Sequence, residues 1–376
     1  MKIVVTGASG LVGWHVGVHL HADNCAAAFG GAPAPFELAL VDKETFGDSD
    51  TLARHVQGAD AIIHCAGVNR GLDADIDAAN PAIARHLLDA CSRTGTKPHI
   101  IYANSIHAAA ETTYGRSKRR AGEAFQESGL PYTDLILPHI FGERARPNYN
   151  NVTATFIDHI IRRDRPVINP AGQVELIHVG AIARAALGVI RTKQVGSIRL
   201  TGRAISVTHL YETLYALHQS YQQDVFPALT DTFELELFNT YRFALYPSAF
   251  PRHLRVNEDV RGSLFESVKG GGGGQTFLSW TVPGATRGNH FHISKVERFL
   301  VLEGDAVIRM RTALQRNVRE YRVTGKNPAV VDMPTMTTHS IENIGSTPML
   351  TLFWTNEIFD PARPDTYRDD VTSSAQ

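Results

Sequence analysis

The sequence predicts two domains of different class: an α/β domain built on a doubly wound parallel sheet, followed by an all-β antiparallel barrel. Three observations carry that expectation. The first half alternates apolar strand-like runs with helical stretches, the pattern of a parallel sheet covered on both faces. Past residue 246 the texture changes to short alternating strands separated by turn residues. The chain has 376 residues, long for one ordinary domain and suited to two. The boundary is set near 246, giving domains 1–245 and 246–376.

In the first domain the expected strands are 3–6, 37–41, 61–65, 99–102 and 133–137, and the expected helices 11–20, 83–91 and 118–127. Tyr246-Pro247-Ser248-Ala249-Phe250-Pro251 marks the change. Strands are then expected at 263–268, 276–282, 298–302, 306–311, 318–323, 329–331 and 349–354. Five consecutive glycines, 270–274, read as a mobile hairpin tip, because no helix follows them to supply a dipole for an anion. No internal repeat is visible.

Lys plus Arg total 37 against 38 Asp plus Glu, so net charge directs the chain to neither nucleic acid nor membrane. The basic stretches 118–120 and 162–165 read as solvated helix faces. Apolar residues make up 43% of the chain, enough to fill real cores, yet no run approaches the ~18 apolar residues that a membrane helix needs. Cys25, Cys65 and Cys91 have neither metal spacing nor a disulfide frame, which fits a reducing compartment. The chain opens on a strand without a charged-then-apolar leader, so the expected location is the cytoplasm. Asn151-Val152-Thr153 formally fits a glycosylation site and carries no weight without a secretion signal.

Gly7, Gly10 and Gly13 follow the first strand and open the first helix. A sharp turn there brings backbone close to a pyrophosphate, and the helix N-terminus, with Leu11 and Val12, offers N–H groups to it. Tyr114 and Lys118 lie four apart on one helical face, where an ammonium favours the phenolate and lets the phenol trade a proton near neutral pH. Ser105 lies nine residues before Tyr114 and can hydrogen-bond the same substrate oxygen. Tyr-x-x-x-Lys alone is common by chance; the glycines in register and Ser105 give it weight.

On these residues the chain resembles the extended short-chain dehydrogenase/reductase family, with a Rossmann-type sheet. The resemblance implies Ser105, Tyr114 and Lys118 as catalytic residues and Gly7, Gly10, Leu11, Val12 and Gly13 as dinucleotide-binding. Ala66 and Gly67 match the family's cofactor-lining turn, and Asn80, Pro138 and Phe141-Gly142 fall where its pattern expects them. Asp42 ends the second strand, where a carboxylate grips the ribose of NAD; Lys43 beside it suits the 2′-phosphate of NADP. The two argue opposite ways. A cofactor-sensing regulator of the same fold is the competing reading, but such proteins lack the Tyr/Lys pair.

The second domain carries Gly284-x5-His290-x-His292-x4-Glu297-x6-Gly304, then Pro334, His339 and Asn343. Histidines at i and i+2 share a strand face. This resembles the cupin family, a jelly-roll barrel, with Met336 standing where glycine is usual and a leading glycine absent at position 328. The resemblance implies His290, His292, Glu297 and His339 as ligands of one divalent ion; such a set suits Zn, and also Fe, Mn or Ni. A competing resemblance exists. Residues 286–290 and 259–266 are similar to segments of metal-free nucleotide-sugar 3,5-epimerases, in which His290 would be the base.

Over nearly its full length the chain is similar to a family of bifunctional enzymes of capsular-polysaccharide assembly, on the route to UDP-N-acetyl-L-fucosamine. The stretches 66–70, 146–150, 288–290 and the tail 356–367 carry that match. It implies that the barrel epimerises C3 of a UDP-2-acetamido-2,6-dideoxy-4-ketohexose and that the first domain reduces C4 with NADPH, with NAD(H) left open. Asn69, Arg70, His139 and Asn148 are candidates for the sugar pocket, and Arg70, Arg144, Arg146 and Arg184 for the diphosphate. The acid that reprotonates C3 is not assigned. The alternative is a simple NAD(P)-dependent 4-ketosugar reductase whose barrel serves only binding or dimerisation. Both readings expect a homo-oligomer, such as a homodimer joined through the barrel, because small barrels expose strand edges.

Overall fold

Successive side chains of the strand Lys2–Thr6 enter opposite cores. Ile3 and Val5 join one apolar cluster, and Val4 joins the other. That double burial is what a parallel sheet with helices on both faces requires. The computed structural model describes residues 1–246 and 248–372; Pro247 of the expected boundary segment lies outside them. Its first sheet has six parallel strands in the order Glu37–Val41, Lys2–Thr6, Ala61–His64, His99–Ser105, Tyr132–Leu137, Gly196–Arg199. Helices Leu11–Phe29 and Val179–Thr192 cover one face through Val16, Leu20, Ile182 and Ala186. Ser49–Val56, Asp73–Thr94 and Thr113–Glu127 cover the other through Leu52, Leu87 and Phe125. The strand order reverses between Lys2–Thr6 and Ala61–His64, the switch point where open α/β sheets bind ligands. The doubly wound fold expected from the alternation is present.

All three expected helices are longer than expected, the first running on to Phe29. Asp73–Thr94 runs through Pro81, and Thr113–Glu127 starts five residues before 118. The Thr112 hydroxyl accepts from Gly115 N–H at 3.0 Å and caps that last helix, so Tyr114 sits in its first turn.

The chain divides into two compact units, Met1–Gly142 with Ala171–Ser206 and Glu143–Pro170 with Val207–Gln376. The helices Val152–Arg162, Val207–Gln222 and Thr232–Leu245 thus group with the barrel, whereas the sequence reading set one cut near 246. A buried charge network ties the last two helices to the barrel. Arg298 makes two hydrogen bonds to Asp332, at 2.6 and 2.9 Å; Tyr221 Oη donates to Asp332 at 2.5 Å; and Arg242 donates to the Met333 carbonyl at 2.6 Å. Burial alone would push the Asp332 carboxyl up, but the guanidinium of Arg298 holds it at about 2.

The barrel is a jelly roll of the cupin class, made of two five-stranded sheets. One runs Arg252–His253, Ala329–Met333, Glu297–Glu303, Met349–Thr355, Gln275–Thr281. The other runs Val318–Thr324, Asp305–Thr312, Thr337–Asn343, Thr286–Phe291, Tyr367–Arg368. Phe299, Val301, Ile308, Met310, Val331, Ile341 and Phe353 fill it. Thr286–Phe291, expected only as a strand carrying both His290 and His292, ends one residue before His292, and Thr337–Asn343 was not among the expected strands. Their sequences, TRGNHF and TTHSIEN, are mostly polar, although the second is almost wholly buried. Hydrophobic alternation cannot reveal a strand whose inward side chains line a polar site.

The glycine run is not a hairpin tip. Lys269–Gly270 pairs in parallel with Val225–Phe226, and Gly271 N–H donates to the Phe226 carbonyl at 2.8 Å. Gly274 has φ +132°, and a Cβ there would lie 2.4 Å from the Thr355 carbonyl oxygen. Gly274 is needed for close backbone packing, whereas Gly273 borders open space.

Candidate active sites

The first site lies beyond the carboxyl ends of the first unit's strands. Gly7 turns the chain with φ +68°, and its missing side chain leaves room for Ala66, whose N would otherwise be 2.7 Å from a Cβ. A Cβ on Gly13 would fall 2.3 Å from the Gly7 carbonyl oxygen. Helix Leu11–Phe29 therefore packs directly on the turn, and Gly10 caps it without any side-chain hydrogen bond. The first turn, Leu11 to Gly13, has no side-chain cap, an arrangement that leaves helix N–H groups open to an anion. Asn80, buried, clamps the facing loop. It accepts from Val68 N–H, donates to the Val68 carbonyl at 2.9 Å and donates to Ser117 Oγ at 2.8 Å. That explains physically a residue the sequence placed only by family pattern.

Asp42 does not extend freely from its strand. Its carboxylate accepts from Thr45 N–H at 2.9 Å and caps the helix Lys43–Gly47; these hydrogen bonds hold it below the usual carboxylate range. Lys43 is exposed beside it.

Ser105 ends the strand His99–Ser105; its Oγ accepts from His107 N–H at 3.2 Å, and it lies near enough to the Tyr114 hydroxyl to pull that group's pKa down. Gly115 makes that approach possible, since a Cβ there would lie 2.3 Å from both the His107 and Ala110 carbonyl oxygens. Lys118 is buried; its Nζ donates to the Ala103 carbonyl at 2.8 Å and lies 4.0 Å from the Tyr102 ring centroid. Burial pushes its ammonium down to about 7, with Asp134 and Cys65 pulling the other way. Burial also raises the Tyr114 phenol, which Ser105 only partly offsets. This corrects the expectation that the ammonium favours a phenolate. Both groups are desolvated, and desolvation favours the neutral forms. A neutral phenol is the state that can give a proton to a carbonyl oxygen.

Pro138 is buried at the end of Tyr132–Leu137, and His139 opens the strand His139–Phe141. The His107 ring lies between Tyr114 and His139, with centroid distances of 6.4 and 5.4 Å. Sequence reasoning missed His107; its one signal is its position two residues after Ser105. Asn69 and Arg70 are exposed in the loop after Val68. Asn148, whose N–H donates to Thr155 Oγ1 at 2.9 Å, belongs to the second unit.

The second site is inside the barrel. One ligand-type atom from each of His290, His292, Glu297 and His339 lies within 4.8 Å of the others. His290 pairs across strands with His339 after a bulge at Gly288. His292 Nε2 and His339 Nε2 each lie 3.1 Å from Glu297 Oε2. Each of those rings is oriented from behind: His292 Nδ1 donates to the Asp365 carbonyl at 2.5 Å, and His339 Nδ1 to the Thr337 carbonyl at 2.9 Å. A carbonyl only accepts, so each Nδ1 carries a proton and each Nε2 faces the carboxylate. Ring nitrogens and a carboxylate oxygen converging on one point suit a cation, and the donor set fits a divalent metal. Burial would raise Glu297, but the histidines hold it well below the usual range; burial would lower His292, but Glu297 raises it. His290 is pushed well down by burial.

Asp365, quoted earlier only within the tail stretch, supports the whole turn. Its carboxylate accepts N–H bonds from Ile293, Ser294 and Lys295 at 2.8–2.9 Å, and the Ser294 hydroxyl at 2.9 Å. Met336 adopts φ +53°, the left-handed conformation the usual glycine would take, and its N–H donates to the His292 carbonyl at 2.6 Å. The departure from the motif leaves the turn intact. A cavity of about 270 Å³ opens beside the cluster, lined by His290, His292, Lys295, Glu297, Glu357 and Phe359 among others.

Residues 3–199 match the NAD dependent epimerase/dehydratase family, and residues 257–367 match a polysaccharide biosynthesis C-terminal domain. A UDP-2-acetamido-2,6-beta-L-arabino-hexul-4-ose reductase from Pseudomonas aeruginosa is 32% identical over the whole of both chains. The chain belongs to the NAD dependent epimerase/dehydratase family, among its capsular-polysaccharide members. The crystal structure of the capsular polysaccharide assembling protein CapF from Staphylococcus aureus is also similar, at 32% identity and a TM-score of 0.58, over 98% of this chain and 100% of that one. A UDP-N-acetylglucosamine 4-epimerase from Methanobrevibacter ruminantium M1 is 20% identical, with a TM-score of 0.53 over 65% of this chain and 98% of its own. It shares the fold.

Proposed function

We propose that this family member is a bifunctional sugar-nucleotide enzyme of capsule synthesis. The barrel, 246–376, epimerises C3 of a UDP-2-acetamido-2,6-dideoxy-4-ketohexose, and the α/β domain, 1–245, reduces C4 with NADPH. The observation that carries this reading is one chain holding both Tyr114 and Lys118 in the first turns of a helix beside Ser105 and a cluster of His290, His292, Glu297 and His339 inside a barrel. Full-length similarity to a hexul-4-ose reductase supports the substrate class.

The chemistry divides cleanly. A C4 ketone acidifies the C3 proton; its removal sends the C3–H electron pair into a C3–C4 double bond and leaves an enolate oxygen, and protonation from the other face inverts C3. When bound, the nicotinamide supplies a hydride to C4. Tyr114 gives its proton to the C4 oxygen, Ser105 hydrogen-bonds that oxygen, and Lys118, tied by its Nζ to the Ala103 carbonyl, completes the set. Gly7, Gly10, Leu11, Val12, Gly13, Ala66, Gly67 and Pro138 line the cofactor, and Asn69, Arg70 and His139, all of the first unit, take the sugar nucleotide. NADPH is favoured over NADH because the exposed Lys43 can meet a 2′-phosphate while one oxygen of the equally exposed Asp42 carboxylate is engaged in capping.

His290, His292, Glu297 and His339 would hold one divalent ion, with zinc favoured. Such an ion supplies Lewis-acid polarisation of a ketone or a clamp across the barrel strands. A homodimer through the barrel is supported by the edge strand Gln275–Thr281, which exposes Leu278 and Trp280. No helix among the described residues is long and apolar enough to cross a membrane. The three free thiols suit the cytoplasm.

Incubating the 4-ketosugar nucleotide with the full chain in deuterated water tests the division. Without NADPH, deuterium is expected at C3; with NADPH, the 4-hydroxy product. Reduction without C3 exchange reduces the protein to a simple ketosugar reductase whose barrel only binds or dimerises.

A further inference from the structure

The epimerase reading leaves its base without a name, and the inference that follows rests on that reading. Of the titratable side chains lining the 270 Å³ cavity, His290, His292 and Glu297 belong to the ligand cluster. Lys295 and Glu357 remain. Lys295 is buried and tied down, its Nζ donating to the Pro364 carbonyl at 2.6 Å. Its ammonium also lies 3.9 Å from Glu357 Oε1. Glu357 is placed differently, with a side chain 43% exposed in the cavity wall, reachable by a ligand yet part of the lining.

Its backbone is fixed on both sides. Thr355 Oγ1 donates to the Glu357 carbonyl at 2.8 Å. Asn356 makes a reciprocal pair with Val296, N–H to carbonyl at 3.1 Å and Oδ1 from Val296 N–H at 2.8 Å. Phe359 N–H donates to Gln275 Oε1 at 2.9 Å. A carboxylate on so rigid a segment, beside a lysine cation and facing the cluster's cavity, is a preorganised base.

We propose that Glu357 is the residue that removes the C3 proton of the ketosugar. The C3–H bond breaks, its electron pair forms the C3–C4 double bond, the ketone electrons move to the C4 oxygen, and the proton passes to a Glu357 carboxylate oxygen. A water molecule on the opposite face returns a proton to C3, and Glu357 releases its own to solvent. Burial raises the Glu357 carboxyl above its ordinary value, against the pull of Lys295, which makes it a stronger base.

The test uses the full chain, its divalent ion and UDP-2-acetamido-2,6-dideoxy-4-ketohexose in deuterated water without nicotinamide, following C3 by NMR. Glu357→Gln is expected to slow C3 exchange by about 100-fold or more, with metal content and melting temperature unchanged, and Glu357→Asp to restore part of the rate. Exchange by Glu357→Gln within threefold of the unaltered chain overturns the assignment. So does loss of the metal from Glu357→Gln, which would make it a residue that holds the site. No exchange by the unaltered chain sinks the epimerase reading, and Glu357 as base with it.

Discussion

The two sites are buried to similar effect but are polarised in opposite senses. Around Tyr114 and Lys118, burial wins: the phenol is raised and the ammonium falls to about 7, so both groups drift toward neutrality. Around Glu297, burial loses: the carboxyl is held low and His292 is raised, so those groups hold their charge. The difference lies in the neighbours. Lys118 faces a backbone carbonyl and an aromatic ring, whereas Glu297 faces two imidazole nitrogens at 3.1 Å. Burial without an opposed charge favours neutral groups, and burial beside opposed charges keeps groups ionised.

The strongest way to break this contrast is Tyr114→Phe. C4 reduction should fall about 100- to 10,000-fold while C3 exchange in deuterated water persists, because the two proton-handling sites are separate. A parallel loss of exchange would show that one site serves both steps. Next in size, Asp365→Ala should weaken binding of a divalent ion about 10- to 100-fold, read by chelator competition, since it removes the carboxylate that holds the turn after His292 while leaving the backbone carbonyl behind its ring. Unchanged affinity would mean that the carbonyl alone is enough to orient the ring. Lys43→Ala should raise KM for NADPH by roughly 10-fold and leave that for NADH alone. An equal effect on both cofactors would reopen the choice between Asp42 and Lys43.

The smallest effect is on stability. Lys118 ionises near 10.5 when unfolded and near 7 when folded, in cofactor-free protein. Between those values the unfolded chain binds one more proton, so stability should rise with pH from about 7 to 10.5; below 7 the burial cost is fully present. Denaturant melts of Lys118→Met should lack that part of the slope, at most about 1.4 kcal/mol per pH unit. Identical slopes in both proteins would mean that the buried amine is hydrated.

Much of this was legible beforehand because the relevant geometry is local. Tyr114 and Lys118 sit one helical turn apart, and Gly7, Gly10 and Gly13 shape a single turn. Three of the four ligands fall within His290 to Glu297. Less was legible where polar residues build strands, as in Thr337–Asn343, and where a helix passes through proline, as in Asp73–Thr94.

Alternating apolar periods and short-range spacing, which depend only on backbone repeat lengths, were enough to determine an α/β sheet, a β barrel and their signature side chains. Only the tertiary structure decided that Asp365, 73 residues from His292, orients its ring, that Asn80 clamps the loop over the cofactor turn, and that Glu357 faces the cavity. It also decided the direction in which each ionisable group shifts. Those outcomes depend on burial and on partners distant along the chain, and neither is written in the spacing of neighbours.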